Sequence, residues 1–150
     1  MEDNDIDIRS MDPEDFMPVL ELVNEFAEES LIEYGTALDI DKLHATFRLT
    51  QPTSFVLLRG DKVIGVFAGH ITTDQCSNEE VYEEVVWYVF KEYRKYGIKL
   101  FNFAQQWCIV HGIRRMTVCY MHNSKPDKLF ALYERMGFKP LETRFVKILP

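Results

Sequence analysis

The chain has 150 residues, 47% of them hydrophobic and 27% charged, which is the size and composition of one packed globular domain rather than of a disordered chain. Its 24 acidic residues outnumber its 17 lysines and arginines, giving a net charge of −7. This excess of negative charge argues against a nucleic-acid binder, because such proteins gain most of their affinity from cations that neutralise phosphates, and it fits a cationic partner better.

The cysteines, the histidines and the longest apolar run exclude further classes. Cys76, Cys108 and Cys119 are odd in number and widely spaced, so we expect neither a disulfide framework nor a zinc pair, and we predict a reducing, cytoplasmic setting. The histidines show no metal-ligand spacing, so no metal is predicted. The first ten residues are acidic, unlike a signal peptide, and the apolar run Val85–Phe90 is too short to cross a bilayer, so neither secretion nor membrane insertion is expected.

The first third of the chain predicts a strand and two helices. Apolar and polar residues alternate from 5 to 9, which indicates a short half-buried strand. Asp12-Pro13 is typical of a helix start, apolar residues then recur at helical spacing, and Gly35 breaks the helix. A second helix, capped by Asp39 or Asp41, is predicted to stop at the proline that follows Gln51.

Three strands are predicted next. Residues 55–58 and 63–71 are rich in β-forming side chains and flank a turn at Gly60-Asp61, which predicts a hairpin. The following strand covers residues 81–90, and its second half is wholly apolar, as in a central strand that is covered on both faces. Helices must supply that cover.

The last third predicts a helix ending at Gly112, a strand over Met116–Met121 and a helix ending at Gly137. The chain is then expected to close with a hairpin of two strands, one at Phe138 and one over Thr143–Leu149. The whole chain, 1–150, is predicted to be one α/β (α+β) domain, with the element order β-α-α-β-β-β-α-β-α-β-β.

The segment Val85–Leu100 carries the strongest chemical signal. A buried strand runs into a polar turn that contains Gly97 and then directly into a helix. The first amide groups of a helix have no partners within it and lie at the positive end of its dipole, so phosphate oxygens bind there. Gly97 can permit an unusual backbone angle and a close approach, and neighbouring cations add positive charge. The segment therefore predicts an anion site.

These residues resemble the Gcn5-related N-acetyltransferase (GNAT) family, whose signature is Arg or Gln, two residues, Gly, one residue, then Gly or Ala. Arg94, Gly97 and the helix after them match it, and Val89 with Tyr93 fits the family pattern V-x-x-x-Y-R. The segment Leu132–Phe138, LYERMGF, looks like the late LYEKxGF segment of the family. With the element order also agreeing, the resemblance spans essentially the whole chain and implies a mixed, mostly antiparallel central sheet flanked by helices.

Lys99 departs from the family pattern, which usually has a small residue there so that the pyrophosphate can press against the helix. Two alternatives stay open. The lysine either swings outward, where it could itself bind phosphate, or crowds the site.

The resemblance implies that acetyl-CoA is the co-substrate and that no metal takes part. The backbone around Trp87 to Val89 would pair with the pantetheine arm as another strand does. The pyrophosphate would lie on the phosphate loop, residues 94–99, which consists of Arg94, Lys95, Tyr96, Gly97, Ile98 and Lys99. Asn123 follows the fifth strand, where the family often has an asparagine that contacts the coenzyme, although its distance to Tyr133 is longer here; a loop asparagine that bonds its own backbone is the alternative.

Acetyl transfer from a thioester to an amine needs a base for the amine and an acid for the departing thiolate. Tyr133 matches the family tyrosine that serves as the acid, although it also lies on an apolar helix face. Glu83 lies where histone-acetylating members have a glutamate, and Glu84 is its competitor, because successive strand residues face opposite sides of the sheet. His70 is a further candidate for the base, with a purely structural role as its alternative.

The predicted function is transfer of an acetyl group to a primary amine of a small molecule or a protein, directly within a ternary complex. Glutamates in the first helical region could select a cationic acceptor, and a solvated helix face is the alternative that such charge runs favour. The alternative is a binding or structural protein that keeps the GNAT fold without activity, since fold does not fix function. The oligomeric state stays open, with a homodimer as one alternative.

Overall fold

The computed structural model describes residues 5–150, in which helices lie on both faces of a five-stranded sheet. The strands are β1 (Ile6–Ser10), β2 (Phe55–Arg59), β3 (Lys62–Thr73), β4 (Glu80–Val89) and β5 (Arg115–Thr117). The helices are α1 (Phe16–Ser30), α2 (Ile40–Thr50), α3 (Gly97–Val110) and α4 (Pro126–Arg135). Residues 1–4, part of the acidic start that argued against a signal peptide, lie outside the described residues. No helix within 5–150 is long and apolar enough to span a membrane.

The strands lie in the sheet in chain order, β1 to β5. The first four are antiparallel neighbours, and β5 is parallel to β4, as the intervening helix α3 requires. The predicted fold class, a mixed and mostly antiparallel sheet flanked by helices, is confirmed.

In the first half of the chain, the residues predicted to cap a helix and to form a turn do so. Asp39, rather than Asp41, caps α2, its carboxylate accepting a hydrogen bond from the amide of Lys42 at 2.9 Å. Gly60 makes the β2–β3 turn with φ of 58°, a left-handed conformation that side chains with a Cβ rarely adopt.

The two faces of the sheet are covered by different helices. Helix α1 packs over β3 and β4, and the ring of Tyr88 lies 6.1 Å from that of Phe26 on this face. Helix α3 packs over β2, β3 and β4, and Trp87 points to this opposite face, where its ring lies 5.1 Å from Phe101 and 6.4 Å from Tyr133 of α4. The apolar half of β4 is therefore covered on both sides, as predicted.

A β-bulge interrupts the pairing of β3 with β4. Ala68 lies opposite Val86 and Gly69 opposite Glu84, so Val85 is an extra residue on β4. Only glycine fits at position 69, because a Cβ there would lie 2.5 Å from the carbonyl oxygen of Glu83. The bulge reverses the alternation of side chains along β4.

The predicted closing hairpin is wrong. No strand forms after α4, so the last two β elements of the predicted order are missing, and β5 ends at Thr117 instead of Met121. The β-forming residues of this end have no pleated surface to pack on, and such a surface is what β-propensity mainly measures. Five of these residues are 61% to 93% exposed, namely Leu141, Phe145, Val146, Ile148 and Leu149.

Candidate active site

A gap opens between β4 and the chain that follows β5. The two strands pair only from Val81 with Arg115 to Glu83 with Thr117. Beyond this point β4 continues to Val89 but pairs with β3 alone. The β4–β5 gap, between residues 84–89 and the chain from 118 onward, is therefore open along one edge of β4, where an extended ligand arm could bind as a strand does.

The predicted phosphate loop lies at the start of α3, beside this gap. Residues 91–96 form a 3₁₀ turn and α3 begins at Gly97, with no side chain capping its first amide groups. Gly97 has φ of −59°, so its backbone is helical and needs no unusual angle. A Cβ at this position would lie 3.5 Å from the Trp87 ring, which is an ordinary van der Waals contact.

Arg94 is held by three partners. Its Nε donates to the carbonyl oxygen of Val89 at 3.1 Å, its Nη2 lies 3.3 Å from a carboxylate oxygen of Glu29, and its guanidinium lies 5.3 Å from the centre of the Tyr88 ring. The Val89 carbonyl, which was predicted to face the pantetheine arm, therefore bonds to Arg94. Burial would raise the pKa of Glu29, but the Tyr88 hydroxyl and Arg94 outweigh it, and the pKa is lowered.

An open cleft of about 610 Å³ lies beside Arg94. Four cations contribute to its walls, and we call it the cationic cleft; it is lined by Lys91, Arg94, Lys125 and Lys128 together with Glu29, Ser30, Asn123 and Ser124. The buried hydroxyl of Ser30 has no hydrogen-bond partner among residues 5–150. This combination suits an anionic ligand that also brings hydrogen-bonding groups.

Asn123 lies in this cleft and is bonded to the end of α1. Its Nδ2 donates to the carbonyl oxygen of Ser30 at 3.2 Å and to a carboxylate oxygen of Glu33 at 2.7 Å. The alternative for Asn123 was a hydrogen bond to its own local backbone. Its amide nitrogen instead bonds to Ser30 and Glu33, far away in the sequence.

Lys95 and Lys99 lie over the ring of Tyr96, the residue that precedes α3. Both side chains are exposed, and their ammonium groups lie 4.8 Å and 5.5 Å from the centre of the Tyr96 ring. The exposure of Lys99 agrees with the first of its two alternatives, in which the side chain does not crowd the site. Ile98, next to it, is 39% exposed.

Tyr133 is buried and packs against the Trp87 ring, with 6.4 Å between the ring centres. Its hydroxyl donates to the carbonyl oxygen of Cys119 at 2.8 Å. Burial, with the charge of Glu84 adding to it, raises the pKa of the Tyr133 phenol, so the hydroxyl keeps its proton at neutral pH. A protonated phenol is what a proton donor requires.

Glu83 and Glu84 point to opposite faces of the sheet. Glu83 faces its cross-strand partner His70, with 3.3 Å between a carboxylate oxygen and Nε2. Glu84 lies on the face of Tyr133, and one of its oxygens accepts a hydrogen bond from the Cys119 thiol at 3.2 Å. The structure therefore brings His70 to Glu83, and Cys119 to Glu84.

Sequence reasoning missed the contribution of Lys91, Lys125 and Lys128 to the cleft. Lys128 lies in the first turn of α4, and Lys125 precedes that helix with a left-handed backbone, so no helical spacing in the sequence indicated that the two would line one cleft. The buried Ser30 hydroxyl and the Cys119 contact had no signal in the sequence either.

Three cysteines are free thiols, and within the described range 5–150 no three His, Cys, Asp or Glu side chains converge as a group that could hold a metal ion.

Comparison with known proteins gives a family and a set of similar structures. The sequence model of the acetyltransferase (GNAT) family matches residues 18–138. No curated protein of significantly related sequence was found.

An aminoglycoside acetyltransferase, meta-AAC0020, from an uncultured soil metagenomic sample is similar over 99% of both chains, with a TM-score of 0.74 and 18% identity. The ribosomal-protein-alanine N-acetyltransferase of Brucella melitensis biovar Abortus 2308 has a TM-score of 0.74 at 14% identity, over 96% of this chain and 99% of that one. The aminoglycoside N-acetyltransferase AAC(6')-Iy in complex with CoA has a TM-score of 0.72 at 17% identity, over 96% and 94%. At these identities the similarity shows a shared fold.

Proposed function

Because the chain belongs to the GNAT acetyltransferase family, we propose that it is an N-acetyltransferase that moves the acetyl group of acetyl-CoA directly to a primary amine in a ternary complex. The observation that carries the proposal is the β4–β5 gap lying beside the start of α3. Together they offer an open strand edge for the pantetheine arm and the positive end of a helix dipole for the pyrophosphate.

The residues around the gap fit coenzyme A. The positive end of the α3 dipole and the cations Lys91 and Arg94 suit its phosphates, and Asn123 and the Ser30 hydroxyl suit the polar pantetheine. The Lys99 side chain is exposed beside the helix start, where its ammonium group adds positive charge. AAC(6')-Iy, which has a similar fold, was solved with CoA bound.

In the proposed reaction, bound acetyl-CoA supplies the acetyl group as a thioester. The lone pair of a neutral amine bonds to the carbonyl carbon, the C–S electron pair leaves with sulfur, the nitrogen loses a proton and the sulfur gains one. Tyr133 is the proposed donor of the proton to sulfur, because its buried phenol stays protonated. Glu83, beside His70, is the base that the family resemblance suggests.

A cationic acceptor is part of the proposal. A second open cleft of about 470 Å³ runs along α1, lined by Glu21, Glu25, Glu28, Glu29, Lys62, Phe90, Lys91 and Glu92. Five carboxylates in one cleft attract a polyamine or an amino sugar more strongly than a neutral amine. Two proteins of similar fold are named an aminoglycoside acetyltransferase and a ribosomal-protein-alanine N-acetyltransferase, which agrees with an amine as the acceptor.

The test is an acceptor screen. The protein is mixed with acetyl-CoA and one amine at a time, namely spermidine, sisomicin, glucosamine or a peptide beginning with alanine, and both the released thiol and the acetylated amine are measured. We expect turnover with at least one cationic amine, and a fall of roughly 10²-fold or more in kcat for Tyr133→Phe with unchanged CoA affinity.

Two outcomes would contradict the proposal. Binding of acetyl-CoA with no turnover of any amine in this or a wider screen would favour the inactive GNAT-fold alternative. An acetyl group found covalently on the protein after incubation with acetyl-CoA alone, and transferable from it to the amine, would replace direct transfer with a covalent mechanism.

A further inference from the structure

The cationic cleft and the cleft along α1 share one wall. Both clefts are lined by Glu29 and Lys91, whose charged groups lie 3.6 Å apart. The remaining charges differ, because the cationic cleft adds one arginine and two lysines, whereas the cleft along α1 adds four glutamates and one lysine. We call the second one the acceptor cleft. An ion pair therefore separates the site proposed for the phosphates of coenzyme A from the site proposed for the amine.

Glu29 is held on the cationic side of this wall. It lies in the last turn of α1, and one of its carboxylate oxygens is 3.3 Å from Nη2 of Arg94. Arg94 is itself bonded to the carbonyl oxygen of Val89, so its guanidinium has a fixed position at the end of β4. Arg94 and Lys91 together neutralise the charge of Glu29, and that charge is then withheld from a cation in the acceptor cleft.

On its other side, Glu29 shares a single hydroxyl with Glu25. The Tyr88 oxygen lies 2.8 Å from a carboxylate oxygen of Glu29 and 3.1 Å from one of Glu25. Burial, together with these two carboxylates, raises the pKa of the Tyr88 phenol, so it keeps the one proton that it can donate. Two carboxylates one helical turn apart compete for this proton. An ammonium group, which has three donors, would satisfy the oxygen that does not receive it.

A ligand is expected on the cationic side. Ser30 follows Glu29 in the chain, lines the cationic cleft and is 1% exposed. Its buried hydroxyl has no hydrogen-bond partner among residues 5–150. A buried hydroxyl without a partner costs free energy, which a polar ligand group in the cleft would recover. The side of Glu29 that faces Arg94 is therefore the side on which a phosphate-bearing ligand would bind.

We propose, on the basis of the proposed function, that Glu29 binds an ammonium group of the acceptor and that the coenzyme frees Glu29 to do so. The phosphates of coenzyme A bind Arg94 and Lys91 and replace Glu29 as their counter-ion. Glu29 then holds the ammonium group together with Glu25, at the end of the acceptor cleft nearest the coenzyme. Glu29 is thus a specificity residue for cationic acceptors, and its availability depends on the coenzyme.

The physical consequence is a coupling between the two ligands. Whichever ligand binds first has to break the ion pair of Glu29 with Arg94 and Lys91, and the second ligand does not. Each ligand therefore raises the affinity for the other by the same factor. The strength of a partly exposed ion pair limits this contribution to about fivefold. Direct attraction between the phosphates and the ammonium group adds to the coupling, but it does not depend on Glu29.

The first test measures the binding of spermidine by titration calorimetry, with and without saturating CoA. CoA carries no acetyl group, so no transfer occurs, and the heat of mixing spermidine with CoA alone is subtracted. We expect CoA to lower the Kd of spermidine about three- to tenfold, and spermidine to lower the Kd of CoA by the same factor. A Kd of spermidine that is the same with and without CoA overturns the proposal, and so does a CoA complex that binds no spermidine.

The second test compares Glu29→Gln with Glu28→Gln. Both glutamates line the acceptor cleft, but the ion pair with Arg94 is made by Glu29. We expect both variants to bind spermidine more weakly than the wild type, because each loses one negative charge. The factor by which CoA strengthens spermidine binding should fall to about twofold or less in Glu29→Gln and stay at the wild-type value in Glu28→Gln. The same factor in both variants would show that the coupling does not pass through Glu29.

The third test removes one of the cations instead. Lys91 and Lys62 are exposed and both line the acceptor cleft, but the ion pair with Glu29 is made by Lys91. Without CoA, we expect spermidine to bind about two- to threefold more tightly to Lys91→Gln than to Lys62→Gln, because only the first change frees Glu29 in part. Equal affinities contradict the proposal.

The outcomes separate this proposal from the proposed function. A folded wild-type protein that neither binds acetyl-CoA nor acetylates any amine overturns both. A wild-type protein that binds CoA and acetylates an amine, with the same coupling in Glu29→Gln as in Glu28→Gln, overturns the role of Glu29 and leaves the proposed function standing.

Discussion

The carboxylate of Glu29 lies 3.3 Å from the guanidinium of Arg94, so the last turn of α1 is bonded to the loop that we propose as the phosphate site. Glu29 also lies 3.6 Å from the Lys91 ammonium and accepts the Tyr88 hydroxyl at 2.8 Å. A carboxylate thus sits against two of the four cations of the cationic cleft, where it competes with an anionic ligand.

Replacing Glu29 by glutamine is therefore expected to tighten CoA binding. The change frees Arg94 and Lys91 from a partly exposed ion pair, which is worth at most about 1 kcal/mol, so we expect an affinity increase of about two- to fivefold. Titration calorimetry at low salt measures it. Glu28→Gln is the control. Glu28 is the exposed neighbour of Glu29 and carries the same charge, but the ion pair with Arg94 is made by Glu29. Weaker binding in Glu29→Gln than in the control would contradict the competition.

Much of the fold could be predicted because its signals are local. Asp12-Pro13, Asp39 and Gly60-Asp61 are start, cap and turn residues whose effect depends on their immediate neighbours, and each one acts as expected. The hairpin predicted for Thr143–Leu149 depended on a partner strand far away in the sequence. Residues 143–149 have the composition of a strand but pair with no strand of the described sheet.

The candidate site divides in the same way. The phosphate loop is one contiguous segment, and its glycine could be recognised from the sequence. The choice between Glu83 and Glu84 depends on a bulge that exists because Gly69, on another strand, lets the backbone of β4 approach. The position of the bulge depends on the pairing of β4 with β3, which a single sequence does not reveal. The face on which each of the two glutamates lies could therefore not be predicted.

The pKa of Glu84 predicts how stability depends on pH. Its folded pKa, which burial raises to about 7, lies above the ordinary value near 4.3, so the folded protein binds a proton more readily than the unfolded chain and loses stability as the pH rises through this window. Glu84→Gln has no carboxyl group to ionise at this position. We therefore expect its free energy of unfolding to rise by about 1–3 kcal/mol relative to that of the wild type between pH 4 and pH 8. Urea unfolding at the two pH values measures this double difference, and a value near zero would mean that Glu84 ionises as it does in water.

The C-terminal segment is predicted to tolerate a polar substitution. Phe145 is 93% exposed, so Phe145→Asp should change the free energy of unfolding by less than about 0.5 kcal/mol. Phe101 is fully buried under the sheet, and Phe101→Ala should cost about 3–5 kcal/mol. Urea titration of the two variants gives the comparison. A loss of more than about 2 kcal/mol in Phe145→Asp would mean that the segment packs as the strand that the sequence predicted.

Calorimetric titration of the protein with acetyl-CoA and with CoA, repeated on Lys99→Glu and Lys99→Ala, tests the central claim most directly. Lys99 is exposed on the first turn of α3, so neither variant should unfold the protein. We predict saturable binding to the wild type, a change of less than about threefold in Lys99→Ala, and a loss of about tenfold or more in Lys99→Glu, whose charge repels the pyrophosphate. Folded wild-type protein that binds neither ligand, or that binds both equally well in Lys99→Glu, would contradict a coenzyme A site at the start of α3.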